Sequence, residues 1–185
     1  MTLPRFCGAV LTGGRSTRMG TDKASLVVDG VPMGERVVRA LRTAGATDVV
    51  AVGGAGLDGV RLVADATTDD ESEGGPMAGV RAALGAATED VVVILACDLP
   101  DVAPDGISAV VAALAAAPDA LVAVPVIAGH LEPLHAAWRR QALVAIPTGE
   151  RAVHRVLAVL PTTEVAGLDA AWLRNVNEPA DLERP

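Results

Sequence analysis

An α/β fold built on a mostly parallel, doubly wound sheet is the class this sequence predicts, and three observations predict it. Short apolar, β-branched runs alternate with longer segments of helical spacing, the pattern of repeated βαβ units. The run Val91-Val92-Val93-Ile94-Leu95 carries no polar alternation, as a central strand covered on both faces should not. The first strand candidate leads into a glycine-rich connection, and open α/β sheets bind ligands where such connections leave the carboxyl ends of strands. A length of 185 residues, 51% of them hydrophobic, supplies one sizeable core and is short for two, so residues 1–185 are expected to form one domain.

The first strand is expected over Phe6 to Leu11, an unbroken apolar stretch ending at Thr12-Gly13-Gly14. A helix should follow over Gly34 to Ala44, with Val37, Val38, Ala40, Leu41 and Ala44 on one side and Gly45 as its stop. Val49 to Val52 and Arg61 to Val63 read as two further strands. Asp69-Asp70-Glu71-Ser72-Glu73-Gly74-Gly75-Pro76 is acidic and ends in glycine, so it reads as a loop, and Pro76 opens a helix to Ala87. Val91 to Ala96 is the central strand; a helix over Pro104 to Ala117 and a strand over Leu121 to Val126 come next. Helical spacing then predicts helices over Leu134 to Ile146 and Gly149 to Leu157, and a short C-terminal one opened by Glu178-Pro179.

Composition removes several function classes. A formal net charge of −8 with 2% aromatic residues offers nucleic acid neither a basic surface nor stacking rings. No stretch reaches the roughly 18 consecutive apolar residues of a membrane span, and the N-terminal residues lack a signal peptide's charged start and cleavage site, so a cytoplasmic protein is expected. Cys7 and Cys97 lie inside apolar runs and form no zinc-spaced cluster, which makes them small core residues. Of the 15 basic residues all but Lys23 are arginine, and a compact, strongly hydrated ammonium suits a phosphate oxygen in a tight loop.

That lysine closes the most informative stretch, Leu11-Thr12-Gly13-Gly14-Arg15-Ser16-Thr17-Arg18-Met19-Gly20-Thr21-Asp22-Lys23-Ala24. Its glycines free the backbone to approach a ligand and aim N–H groups at an anion, and Arg15, Arg18 and Lys23 add three cations. A plain surface turn has no need of that combination. The spacing is not GxxxxGK[ST], because Thr21-Asp22 separates Gly20 from Lys23. Gly54-Ala55-Gly56-Leu57-Asp58-Gly59 does match GxGxxG, but the strand Arg61 to Val63 follows where a dinucleotide fingerprint should open a helix.

Cys97-Asp98-Leu99-Pro100-Asp101 follows the central strand. A carboxylate at that position facing a triphosphate would be a ligand for Mg²⁺, which takes one or two carboxylates plus phosphate oxygens and waters. The competing role, capping the helix after Pro104, suits Asp101 better than Asp98. Asp65 reads equally as a nucleotide contact or a turn former. Asn175-Val176-Asn177 sets two amides on one side of an extended segment, suited to hydroxyl or heterocycle recognition, and capping before Glu178-Pro179 accounts for Asn177 alone. His130, His135 and His154 show no metal spacing and read as solvated or core-edge residues.

The loop from Leu11 to Ala24 resembles the LxGGxSxRMGxDKA signature of the molybdenum cofactor guanylyltransferases, the MobA-type branch of the nucleotidyltransferases. Asp65, Gly75-Pro76 with Gly79, Cys97-Asp98-Leu99-Pro100, Gly149-Glu150-Arg151 and Asn175-Val176-Asn177 match the same family in chain order. The resemblance implies a nucleotide-diphospho-sugar transferase-like fold with a Rossmann-like nucleotide-binding half. It implies GTP held by Leu11, Thr12, Gly13, Gly14, Lys23, Asp65, Gly75 and Pro76, with Asp98 shared between nucleotide and Mg²⁺. The acceptor it implies is the terminal phosphate of molybdopterin, near Asn175 and Asn177, with Arg18, Lys23 and Asp98 serving catalysis. Partners would include cofactor-insertion proteins or molybdoenzyme chaperones. Two departures stand out: Gly53-Gly54 where family members often carry an asparagine after the second strand, and Glu178 in the family's usual NxNTP. The alternatives are a related transferase using CTP or a sugar phosphate, and a non-catalytic GTP-binding protein that delivers cofactor.

Overall fold

A computed structural model describes residues 2–13, 23–54, 56–65, 75–176 and 181. Ten strands and five α-helices are assigned among them. The main sheet runs in the order β10 (Thr162–Val165), β7 (Val122–Ile127), β9 (His135–Arg139), β6 (Val91–Ala96), β1 (Phe6–Leu11), β4 (Val49–Val52), β5 (Arg61–Val63), with β8 (His130–Leu131) paired to β7. The pairs β1–β4, β1–β6, β4–β5 and β7–β10 are parallel, and β9 is antiparallel to both β6 and β7. A separate hairpin joins β2 (Val27–Val28) to β3 (Val31–Pro32).

Both faces of the sheet are covered, which is why the inner strands lack alternation. On one face α1 (Met33–Thr43) and α3 (Pro104–Ala116) bury Val37, Leu41, Ile107, Val110 and Leu114 against Phe6, Val10, Val93 and Leu95. On the other, α2 (Pro76–Ala86), α4 (Ala142–Ala145) and α5 (Val153–Leu157) bury Met77, Val80, Leu84 and Val156 against Cys7, Ala9, Val92, Ile94 and Trp138. Cys7 and Cys97 are buried and form no disulfide, and burial pushes the Cys7 thiol up. Among the described residues no helix is long and apolar enough to cross a membrane.

Two expectations are corrected. Leu134 to Ile146 is not one helix: His135–Arg139 is a strand inserted between β6 and β7, and only Ala142–Ala145 is helical. A short strand buried on both faces has the apolar content of a buried helix, so periodicity could not separate them. Its last residue, Arg139, donates from Nη2 to the carbonyls of Leu114 (3.0 Å) and Ala117 (3.4 Å), tying the strand to the end of α3. The second helical segment is shorter than expected, Val153–Leu157 instead of Gly149 to Leu157, because Glu150 accepts from the backbone N–H groups of Arg151 (2.8 Å) and Ala152 (2.9 Å) and caps the turn outside it. The C-terminal helix at Glu178-Pro179 and the acidic stretch Asp69 to Gly74 lie outside the described residues.

Candidate active site

β1 is central and its neighbours end level with it: Leu11 pairs with Val52 on one side and Ala96 on the other. The chain leaves β1 for α1 on one face and reaches β6 from α2 on the other, so the strand order reverses here and the connections diverge into a crevice. Thr12-Gly13, Gly53-Gly54 and Cys97-Asp98 all emerge at this edge.

The first two connections interlock through backbone. Thr12 and Gly13 donate their N–H groups to the Val52 carbonyl, at 2.9 and 3.1 Å. The Thr12 hydroxyl donates to the Gly53 carbonyl at 2.6 Å. Thr12 is therefore buried with its side chain committed, and it can offer a ligand only backbone. Leu11 packs its side chain into the core, where Gly79 of α2 leaves room: a Cβ on Gly79 would lie 3.1 Å from Leu11 Cδ2. Gly54, at φ 49°, approaches Thr12 so closely that a Cβ there would overlap the Thr12 carbonyl oxygen and sit 2.7 Å from its carbon. The Gly53-Gly54 departure thus has a packing reason. The Asp65 carboxylate completes this corner, with Oδ2 3.1 Å from where a Cβ on Gly53 would be and 3.3 Å from one on Gly13. Replacing Gly54 with alanine is expected to push the two loops apart and raise the KM for nucleotide about tenfold or more; steady-state kinetics on the folded variant check this.

The charge comes from the far end of the first connection and from the third, where Lys23 meets Asp98. Lys23 opens a 3-10 turn, Lys23–Ser25, whose Ala24 is pressed against α1; a Cβ on Gly34 would lie 3.2 Å from the Ala24 carbonyl. So placed, Lys23 Nζ reaches Asp98 Oδ2 at 3.3 Å, with both side chains largely buried. The other carboxylate oxygen, Asp98 Oδ1, is buried with no hydrogen-bond partner. A buried anionic oxygen left unpaired is costly, and a cation supplied with a ligand would satisfy it. No group of three or more His, Cys, Asp or Glu poised for a metal occurs among the described residues. Mg²⁺ does not require one when phosphate oxygens and water complete its shell.

Gly75, at φ 106°, and Pro76 open α2, whose first turn has no side-chain cap. With Gly79 against Leu11, that N-terminus lies at the same edge and brings the positive end of the helix dipole to it. Gly75 also faces Arg151, whose carbonyl oxygen would be 3.5 Å from a Cβ at position 75. The C-terminal segment closes the site: Val176 donates its N–H to the Asp98 carbonyl at 2.9 Å, leaving Asn175 exposed beside it. Leu11, Thr12, Gly13, Lys23, Asp65, Asp98 and Asn175 are therefore gathered at one edge. Gly14, Arg15, Arg18 and Asn177 lie outside the described residues.

Two residues fall otherwise than expected. Asp101 does not cap α3, whose N-cap is Ala103 without a side-chain bond; it accepts from Arg174 Nη2 at 2.7 Å. Arg36 and Arg174, which bracket Asp101, carried no sequence signal because their partner lies far along the chain. His135 is neither solvated nor at the core edge but fully buried in β9, while His130 and His154 are exposed.

The description of the MobA-like NTP transferase domain family matches residues 8–166. A probable molybdenum cofactor guanylyltransferase of Pelotomaculum thermopropionicum is 34% identical over 187 residues, covering 95% of this chain and 89% of its own. One of Opitutus terrae is 35% identical over 192 residues, covering 97% and 94%. Among solved structures, molybdopterin-guanine dinucleotide biosynthesis protein A from Archaeoglobus fulgidus superposes with a TM-score of 0.74 at 22% identity, over 95% of this chain and 94% of that one. That likeness places the sheet in the nucleotidyltransferase fold.

Proposed function

From the premise that the chain belongs to the MobA-like NTP transferase family, we propose that residues 1–185 form one nucleotidyltransferase domain that transfers GMP from GTP to the terminal phosphate of molybdopterin. The observation that carries this is the Lys23–Asp98 pair at the switch point of the sheet, with Asp98 Oδ1 buried and unsatisfied. The names of the curated relatives support guanine as the base and the molybdenum cofactor as the acceptor.

An acceptor phosphate oxygen attacks the α-phosphorus of GTP in line, the bond from that phosphorus to the bridging oxygen of the β-phosphate breaks, and pyrophosphate leaves. Such transfers are accelerated chiefly by positioning and by neutralising charge. Lys23 donates to the triphosphate, the Gly13 and Gly14 backbone approaches it closely, and the positive N-terminal end of α2 at Gly75-Pro76 faces its anionic oxygens. Leu11 and Thr12 set the wall of the nucleotide pocket, Asp65 accepts from the nucleoside, and Arg18 adds charge to the phosphate loop. Asp98 would hold Mg²⁺, which when bound neutralises phosphate oxygens as a Lewis acid. Asn175 and Asn177 contact the pterin. The reaction belongs in the cytoplasm, with cofactor-insertion proteins or molybdoenzyme chaperones receiving the product.

The test is pyrophosphate release from GTP, CTP, ATP and UTP, each with Mg²⁺ and molybdopterin. Release from GTP alone is the expected result. Preference for CTP moves the protein to a cytidylyl transfer, and GTP binding without release from any nucleotide makes it a carrier.

A further inference from the structure

We propose that Asp101 is a positioning residue, clasping the C-terminal segment to the loop that carries Asp98 and so fixing the acceptor side of the site against the metal-binding carboxylate. The inference rests on the reading just given for what Asn175 and Asp98 do. It is carried by a second point of attachment, three residues from the first. At Asp98 the segment is held by the Val176 N–H, 2.9 Å from the Asp98 carbonyl oxygen. At Asp101 it is held by Arg174, whose Nε and Nη2 both donate to Oδ2, at 3.1 and 2.7 Å. The remaining arm, Nη1, donates to the Asp181 carbonyl at 2.8 Å, so Arg174 also gathers chain beyond the site.

The loop side of the clasp is itself anchored. Arg36 of α1 donates from Nε to the Pro100 carbonyl at 2.7 Å, and its Nη2 lies 3.8 Å from Asp101 Oδ1. Nη1 of the same guanidinium reaches the Val28 carbonyl at 3.3 Å and Asp29 Oδ2 at 3.6 Å on the β2–β3 hairpin. One carboxylate thus stands between two arginines that lead to α1 and to the C-terminus. A little upstream, Trp172 packs over Gly106 of α3, where a Cβ would come within 3.1 Å of its ring. Leu173 and Val176 are buried, so the segment is pinned on both sides of the exposed Asn175.

Asp101 and Arg174 are each about one-third exposed, and ion pairs at that exposure add little to global stability. What the pair does contribute is fixed geometry: a planar guanidinium with two nitrogens on one oxygen resists the slide and rotation that a single contact permits. Small displacements of a reacting group cost far more in rate than in stability.

The experiment uses the full chain with Asp101→Asn, Arg174→Gln, Arg174→Lys and the double variant Asp101→Asn/Arg174→Gln. The expected result is a rise of about tenfold or more in the KM for molybdopterin, with the KM for GTP within about twofold and little change in thermal midpoint. The double variant should be no worse than the worse single one, since both remove one interaction, and Arg174→Lys should fall between wild type and Arg174→Gln. Amide exchange at Val176 should quicken about tenfold in Asp101→Asn while β6 amides stay protected. Unchanged Val176 exchange, or equal rises in both KM values, overturns the proposal. Should the wild-type protein fail to transfer GMP, the exchange measurement still decides the clasp, and it is the functional reading that falls.

Discussion

Asp98→Ala is expected to lower GMP transfer by about 10³-fold or more, equivalent to about 4 kcal/mol of transition-state stabilisation. The side chain sits where the sheet changes winding direction, one oxygen on Lys23 and the other buried without a partner. Removing it takes away the anchor proposed for Mg²⁺ and leaves Lys23 without the anion that orients it, so phosphate positioning and charge neutralisation fail together. The fold should survive, because the sheet beneath is held by the apolar residues of β1 and β6 and because Asp98 anchors Val176 through backbone. Asp98→Asn separates the two contributions: it keeps the shape but not the charge, and should lose nearly as much turnover while binding GTP better than Asp98→Ala. Single-turnover pyrophosphate release at saturating GTP is the measurement. A rate within a few-fold of wild type would sink the metal assignment.

What could be read from the sequence was local or periodic. β1, β4, β5 and β6 matched their expected ranges residue for residue, and α1, α2 and α3 fell within one residue at each end, since each is a short apolar run or an amphipathic stretch with a local stop signal. The glycine-rich connection reads as a phosphate site because a plain surface turn has no need of glycines and three cations together. β9 escaped because its identity as a strand depends on the partners β6 and β7, not on its own pattern. β10 escaped for the same reason: Thr162–Val165 becomes a strand by pairing with β7.

The site divides in the same way. Lys23 and Asp98 could be chosen from the chemistry of their loops, but their meeting across 75 positions is a product of the parallel β1–β6 register. Asp101 was assigned the nearest local task, helix capping, while its real partner Arg174 lies 73 positions away. The glycines at 53 and 54 read as a departure from a family pattern. Only the close passage of Thr12 gives them a physical necessity.

His135 was the least legible residue, and it leads to the second large effect, a loss of folding stability as pH falls from 6.5 to about 4 that His135→Leu should largely abolish. The imidazole lies in β9 opposite Leu95, 1% exposed, and neither ring nitrogen makes a hydrogen bond. Burial lowers its pKa from 6.5 to about 4; the Gly106 backbone opposes the shift more weakly, without making a bond of ordinary geometry. As pH drops below 6.5 the unfolded chain takes up a proton that the folded protein refuses until about pH 4, so protonation drains the folded state throughout that window. The loss is absent well above pH 6.5, builds as pH falls through that value, and amounts to about 3 kcal/mol by pH 4. Leucine cannot be protonated, and it removes two unsatisfied polar atoms from the core at similar volume, so at pH 7 the variant should be at least as stable as wild type. Carboxylates titrate in the same range in both proteins, and the difference between their denaturant-unfolding curves, taken at half-unit steps from pH 7 to 4, isolates the histidine. Parallel curves would mean that His135 is protonated in the folded protein or reached by water. A variant that is markedly less stable at pH 7 would mean that the imidazole has a polar partner at Gly106, where a Cβ would lie 3.5 Å from its Nε2.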